Sequence, residues 1–296
     1  MLQLLRLPFE NTMKEKEIRS FASKLKRKPD SYKYNYGHVL VIAGSNTMPG
    51  SGILCCLGAL RSGSGLVTYA VRDNFLDQAC AISKPEVMFF VYRTATDILD
   101  FIKSRKVTSI VIGPGLKADN SVLCKFIKEI IYAVNIPVIL DASGLACFNG
   151  IAGELKTTNA KLIITPHLGE FSKLLNIQSA VIENDRKKIV ADFAEVNSLI
   201  CVLKGSNTFV SCGKKNYKNN TGTPAMATAG SGDVLSGIIS SFVNVTDDVF
   251  EAVTFAVFIH GLAGEIAEKD KGMTGVIASD IAENICYAIK QIMMKR

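Results

Sequence analysis

Short continuous apolar runs alternate along this chain with longer stretches of helical periodicity. The run over 38–43, HVLVIA, ends in Gly44-Ser45 and has the profile of a strand buried on both faces. A helix rich in small residues is expected over 50–62 and a second strand over 65–71, so the order is strand, glycine loop, helix, strand. The alternation continues with strands over 87–91, 109–112, 137–140, 161–164 and 199–203, and helices over 96–104, 121–134 and 183–196. Residues 207–211 return as a hairpin strand, and the remainder is helical over 232–243, 247–268 and 278–293. Ahead of all these, Ile18, Phe21 and Leu25 fall at helical spacing among charged residues. This predicts an amphipathic helix over 12–28, followed by a polar connector over 33–37.

Strands alternating with helices make an α/β fold with a mainly parallel sheet and helices on both faces. Polar or glycine motifs recur where the expected strands end: Gly44-Ser45, Gly113-Pro114-Gly115, Asp141, His167 and Lys204. Ligands of open α/β sheets bind outside the carboxyl ends of the strands, so these motifs are expected to face one crevice. No shift in composition marks a second unit. A single domain over 1–296 is expected, with residues 1–32 as an N-terminal helical extension.

Composition narrows the classes. Hydrophobic residues make up 48% and charged residues 21% of the 296, an ordinary soluble balance. The apolar runs over 53–60 and 253–263 are interrupted, and no run is expected to reach the length of a membrane span. The N-terminal residues carry Glu and Lys early and lack a secretory pattern. The net charge of +7 is modest, and much of it sits in the KLKRK run over 24–28 and in Lys295-Arg296. No aromatic residues are interleaved there as on a nucleic-acid platform, and the balance suits small anions. The expectation is a cytoplasmic protein that binds neither nucleic acid nor membrane. Eight scattered cysteines without a CxxC or Cys/His cluster argue against structural zinc and for small core thiols in a reducing compartment.

The candidate chemistry centres on residues 221–242, TGTPAMATAGSGDVLSGIISSF. Glycines just before a helix leave backbone N–H groups unobstructed at its positive end, which suits an anion. Gly230, Ser231 and Gly232 would form that hole. Asp233 is the odd member: it either caps the helix, or acts as a base beside a hole that stabilises a transferred group. Upstream, Lys204-Gly205-Ser206-Asn207-Thr208 follows a strand, and with the hole it favours a phosphate site. Neither segment is a Walker P-loop, since no GxxxxGK[ST] occurs. His167 ends a strand with Glu170 one turn on, a placement that suits a ligand or metal-water role against the structural role more usual for a histidine. His260, on an apolar helix, reads as packed or capping.

Seven segments together carry a family resemblance: GHVLVIAGSNTMPGSG, VIGPGL, PVILDASGL, IITPHLGEF, VLKGSNT, AMATAGSGDVLSGII and FIHGLAGE. In that order they resemble the ribokinase-like NAD(P)H-hydrate dehydratase family, from about Lys33 to the C-terminus. The resemblance implies a three-layer α/β/α fold and repair of NADH or NADPH hydrated at C6 of the nicotinamide ring (NADHX and NADPHX). The hydrate would be dehydrated at the expense of ADP, giving AMP and phosphate, or of ATP in eukaryotic members. The Lys-, Ile- and Asn-rich composition and the lack of an organelle-targeting pattern favour ADP. The chain resembles the free-standing dehydratase rather than the fusion with an epimerase domain, and the family forms homotetramers.

Carried over residue by residue, Ser51, Gly115, His167 and Asp233 would contact the hydrate. Lys204, Gly205, Ser206, Asn207, Thr208 and Gly232 would contact the nucleotide. Asp141 and Glu170 would help to orient the substrate, or Mg2+ through water. In the implied reaction Asp233 takes the hydroxyl proton while the N–H groups of residues 230–232 hold charge on the phosphoryl group. Ser51 stands where the family has Ala, Leu168 where it has Pro, Ala229 where Gly is common and Ser231 where Thr is common. Two rival functions use the same residues: a kinase of this fold acting on a hydroxymethylpyrimidine, thiazole alcohol or sugar, and a non-catalytic nucleotide sensor.

Overall fold

The computed structural model describes residues 13–117, 121–156 and 160–294. Among these residues nine strands form one sheet: β1 His38–Ile42, β2 Leu66–Val71, β3 Met88–Val91, β4 Ser109–Ile112, β5 Val138–Leu140, β6 Leu162–Ile164, β7 Ile200–Leu203, β8 Phe209–Ser211 and β9 Asn216–Lys218. Their spatial order is β3-β2-β1-β4-β5-β6-β7-β8-β9. Every pairing from β3 to β7 is parallel, and β8 and β9 add antiparallel at one edge. The chain starts mid-sheet at β1, winds outward through β2 and β3, then resumes on the other side at β4. The order therefore reverses between β1 and β4, where doubly wound sheets open a crevice at the carboxyl ends of their strands.

Among the described residues, twelve α-helices cover the faces: α1 Glu15–Lys24, α2 Gly50–Arg61, α3 Leu76–Ala81, α4 Ala95–Arg105, α5 Ser121–Ala133, α6 Ser143–Ala146, α7 Leu168–Leu175, α8 Ser179–Asn184, α9 Arg186–Asn197, α10 Ser231–Phe242, α11 Val249–Lys271 and α12 Ala278–Met294. Side chains alternate across β1, so Val39 and Val41 join one core while Leu40 and Ile42 join the other. The first core packs under α1, α2 and α10 to α12, the second under α4 to α9. Helices on both faces were expected, and both are present.

Two close approaches fix the helices beneath the site. A Cβ on Gly237 of α10 would lie 2.1 Å from the Cys55 carbonyl oxygen of α2, and one on Gly58 of α2 would lie 2.4 Å from that of Val234. Only residues without a side chain let these two backbones touch. Leu54 of α2 in turn lies against Gly230, at the start of α10.

Several expectations need correction. Short elements escaped the periodicity: α3, α6, α7 and α8 span four to eight residues, and β9 only three. The helix expected over 183–196 breaks at Asp185, whose φ of −136° and ψ of 43° leave the helical region and separate α8 from α9. Helix α11 is, by length and a mean hydropathy of 1.5, apolar enough to cross a membrane, contrary to the expectation. It is a core helix instead: 72% of its apolar window is buried, against α10, α12 and α1. Not all cysteines are separate thiols. Cys124 of α5 and Cys147, just after α6, are joined by a disulfide, their Cα atoms 5.1 Å apart, within the reach of such a bond. A separation of 23 residues gave no sequence signal for that pairing.

The N-terminal helix is part of the core rather than an appendage. Phe21 is fully buried, with its ring centroid 4.4 Å from that of Phe255 and 5.6 Å from that of Phe242. Residues 1–12 of the expected extension and the pair 295–296 lie outside the described residues. Phe21→Ala should cost about 3–5 kcal/mol of unfolding free energy in urea melts, as for a large aromatic removed from a packed core. A loss below about 1 kcal/mol would mean that α1 is peripheral.

Candidate active site

The carboxyl ends of the strands are knitted into one rim. Gly44 N–H donates to Pro114 O at 2.8 Å, Asp141 N–H to Ile112 O at 3.1 Å, and Lys204 N–H to Pro166 O at 2.8 Å. The Gly-Ser, Gly-Pro-Gly, Asp, His and Lys motifs therefore stand side by side, as their recurrence at strand ends implied.

Asp141 is the hub. Its side chain is 1% exposed, and its carboxylate accepts from Lys204 Nζ at 2.6 Å, Ser236 Oγ at 2.8 Å and Ala142 N–H at 2.9 Å. Ala142 has φ 46° and ψ −120°, a conformation that costs a non-glycine residue of order 1–3 kcal/mol. The strained turn brings the Ala142 N–H onto the carboxylate of its own neighbour. Both oxygens thus accept from the protein's own donors and almost no surface is exposed, so Asp141 bears on the site through Lys204, Ser236 and Ala142.

Lys204 is held by Asp141 but reaches past it. A Cβ on Gly232 would lie 3.2 Å from Lys204 Nζ, so the ammonium sits at the start of α10. Burial opposes its charge, but Asp141, Glu170 and Asp233 outweigh burial and raise its pKa. It stays a cation throughout the working range of pH.

Helix α10 opens from Gly230, whose φ of 88° turns the chain sharply into the first turn. Ser231 N–H is bonded to Thr228 O at 3.3 Å. Among the described residues, the N–H groups of Gly232 and Asp233 have no such partner. Of the N–H groups expected to form the hole, Ser231 is thus engaged, those of Gly230 and Gly232 have no partner among the described residues, and Asp233 adds another. Asp233 stands in its first turn with a carboxyl pKa raised to about 7. Burial is the main cause and the Asp141 charge the next; Lys204 and a hydrogen bond from Ser51 pull the other way, and Glu170 adds to the rise. A group with that pKa exchanges protons near neutrality, as a general base must. No side-chain cap bond is made at this helix start, so the capping role weighed for Asp233 is not the one it has.

Ser51 and Gly115 complete this wall. Gly115 has φ 66°, and a Cβ there would come within 2.8 Å of Ser51 Oγ. The hydroxyl that departs from the family pattern is thus spent on Asp233 and packed against Gly115. His167 and Glu170 lie nearby but serve α7. His167 Nδ1 accepts from the N–H groups of Gly169 at 3.0 Å and Glu170 at 3.2 Å, while Glu170 Oε2 accepts from His167 N–H at 2.8 Å. The His167 side chain is exposed, with its Nε2 3.6 Å from Glu170 Oε1. Both residues border a cavity of about 280 Å³, together with Ser143, Asn149 and Lys173. Gly205, Ser206 and Asn207 are exposed in the turn from β7 to β8, where Thr208 Oγ donates to Gly205 O at 3.0 Å.

The donors present do not suit a resident metal ion. Among the described residues no group of three His, Cys, Asp or Glu side chains gathers as a metal centre. Asp141 is already filled, and the Glu170 carboxylate is engaged in the cap. Sequence reasoning also missed two supporting residues, Ser236 and Arg186, and read a third, His260, only as packed or capping. Ser236 lies one helical turn beyond Gly232, a spacing that would have placed it on the same face. Arg186 donates through Nη2 to Leu203 O at 3.1 Å, bracing the end of β7. His260 Nε2 lies 3.0 Å from Ser231 O at the mouth of the hole. A histidine inside an apolar helix gives no hint of such a partner 29 residues away.

A family model described as NAD(P)H-hydrate dehydratase matches residues 39–286. A bifunctional NAD(P)H-hydrate repair enzyme of Moorella thermoacetica is 32% identical over 276 residues, covering 90% of this chain and 52% of that protein. The chain thus spans about half the length of the bifunctional relatives it matches. An ADP-dependent (S)-NAD(P)H-hydrate dehydratase of Staphylococcus aureus is 34% identical over 275 residues, covering 90% of this chain and 94% of that protein. Among solved structures, an ADP/ATP-dependent NAD(P)H-hydrate dehydratase of Bacillus subtilis, co-crystallised with ATP/Mg2+, superposes with a TM-score of 0.79 at 26% identity. It covers 96% of this chain and 100% of its own. A ribokinase-like superfamily protein of Enterococcus faecalis shares the fold, with a TM-score of 0.82 at 24% identity over 98% of this chain and 99% of its own.

The raised pKa of Asp233 has a consequence for stability. Folding disfavours its ionised form, so the cost is absent below the unfolded pKa of about 4 and complete above the folded value of about 7. Asp233→Asn removes that cost. In thermal melts the variant should exceed the wild type by roughly 2–8 °C at alkaline pH and converge with it near pH 4. A variant less stable than the wild type at alkaline pH would contradict the raised pKa.

Proposed function

The chain belongs to the NAD(P)H-hydrate dehydratase family, and we propose that it restores NADH and NADPH from their (6S)-hydrates at the expense of ADP, yielding AMP and phosphate. The observation that carries this reading is Asp233: a carboxylate with a pKa of about 7 beside two unengaged N–H groups and a buried lysine. A base and an anion hole that share one helix turn suit transfer of a phosphoryl group to a hydroxyl.

The hydroxyl on C6 of the hydrated ring is a poor leaving group. Asp233 takes its proton as its oxygen bonds to the β-phosphorus of ADP, and the bond from that phosphorus to the bridging oxygen breaks to release AMP. Charge on the transferring phosphoryl falls on the N–H groups of Gly232 and Asp233, with the Lys204 ammonium beside them. The ring nitrogen's lone pair then expels phosphate from C6, and loss of a C5 proton restores the dihydronicotinamide. Ser51 and Gly115 shape the wall that receives the ring, and the exposed side chain of His167 contacts the rest of the hydrate. The turn formed by Gly205, Ser206, Asn207 and Thr208 receives the nucleotide. Magnesium accompanies the nucleotide's phosphates as part of the donor substrate. The active form in this reading is a homotetramer in the cytoplasm.

Purified protein given hydrated NADH and ADP should regain the near-ultraviolet absorbance of the dihydronicotinamide, with ADP a better donor than ATP. A stable phosphorylated alcohol instead would mark a kinase. Activity should also depend on Asp233 being ionised, so kcat/KM should fall about tenfold per pH unit below an apparent pKa near 7. Asp233→Asn should bind ADP almost normally yet turn over about 10²-fold or more slowly. Near-normal turnover in that variant would remove the base from this mechanism.

A further inference from the structure

We infer that His260 is a positioning residue that sets the direction of the Ser231 O–H, making this hydroxyl a hydrogen-bond donor into the anion hole of α10. His260 Nε2 lies 3.0 Å from Ser231 O and 3.3 Å from Ser231 Oγ. A carbonyl oxygen has no proton to give, so Nε2 must carry one, and the ring is the Nε2–H tautomer. The same N–H faces Oγ, which meets it with a lone pair. Nε2 has no lone pair left to accept, so the serine proton cannot point toward His260.

Among the described residues, Ser231 Oγ has no other hydrogen-bond partner. Ser231 is only partly buried, beside the unengaged N–H groups of Gly232 and Asp233. Its proton is therefore free to meet an anionic oxygen held by those groups. The imidazole itself is 9% exposed, on α11, and burial depresses its pKa to about 4 against the help of the Ser231 carbonyl. It stays neutral at physiological pH and adds no positive charge under Lys204. The histidine thus fixes a proton direction that serine alone would leave to chance.

The kinetic arm of the test rests on the dehydratase reading; the spectroscopic arm does not. Long-range 15N–1H spectra of the wild-type protein near neutral pH, with His260 assigned by its absence in His260→Gln, should show a neutral Nε2–H imidazole. A neutral Nδ1–H ring or an imidazolium would overturn the inference. In turnover assays His260→Leu should lower kcat about tenfold with little change in KM, a partial loss of one hole donor, whose removal outright costs about 10²–10³-fold. His260→Gln, whose side-chain N–H can replace Nε2–H, should recover most of that rate. In a Ser231→Ala background the same His260→Leu change should cost less than about twofold, because its route of action is gone. Equal losses in both backgrounds would show that His260 only packs, and would overturn the inference. If the wild type fails to turn over the hydrate, the functional reading falls and the tautomer alone decides the inference.

Discussion

The ion pair between Asp141 and Lys204, 2.6 Å long and almost wholly buried, is the constraint on which the site depends. It ties the end of β5 to the end of β7 across β6, and through Ser236 it ties both to α10. Burying two charges is costly, and removing one partner from such a pair typically costs about 3–5 kcal/mol because the other is left without compensation. The strain at Ala142 adds to the expense, since that turn supplies a third donor to the same carboxylate. Such an arrangement is a poor way to gain stability. Its effect is positional: a cation is held at the opening of α10 by a partner that no substrate can displace.

Asp233 feels that same pair from the other side. Burial and the Asp141 charge push its proton affinity up, while Lys204 and Ser51 hold it down to a useful level. Loss of Lys204 would push the carboxyl's pKa further up, and loss of the burial would bring it down. The two acids thus have separate roles because their partners differ. Asp141 accepts from donors on both oxygens, whereas Asp233 is left to trade a proton. The close contact of α2 and α10 through Gly58 and Gly237 keeps Ser51 within reach of that carboxyl.

Much of this was legible in the sequence, for stated physical reasons. Parallel strands buried on both faces read as continuous apolar runs, and their ends announced themselves through Gly, Asp, His and Lys. The glycines ahead of a helix and the carboxylate that follows marked the place where open N–H groups and a carboxyl of raised pKa meet. What escaped was whatever depends on pairing across the chain. The bond from Lys204 to Asp141 spans 63 residues, and each member alone reads as a ligand group for substrate. The bond from Cys124 to Cys147 and that from His260 to Ser231 were hidden for the same reason. His167 illustrates a different limit: its sequence position offers no sign that its Nδ1 is bound to its own helix. Phe21 reads as one residue of an amphipathic surface helix until its partners Phe242 and Phe255 are seen.

Burial and the fixed Asp141–Lys204 pair together poise Asp233 to exchange a proton near neutrality. The most direct measurement is the titration of the Asp233 carboxyl carbon by 13C NMR on aspartate-labelled protein, with the signal assigned by its absence in Asp233→Asn. The account predicts a midpoint of about 7. A midpoint near 4, where an ordinary aspartate titrates, would contradict it.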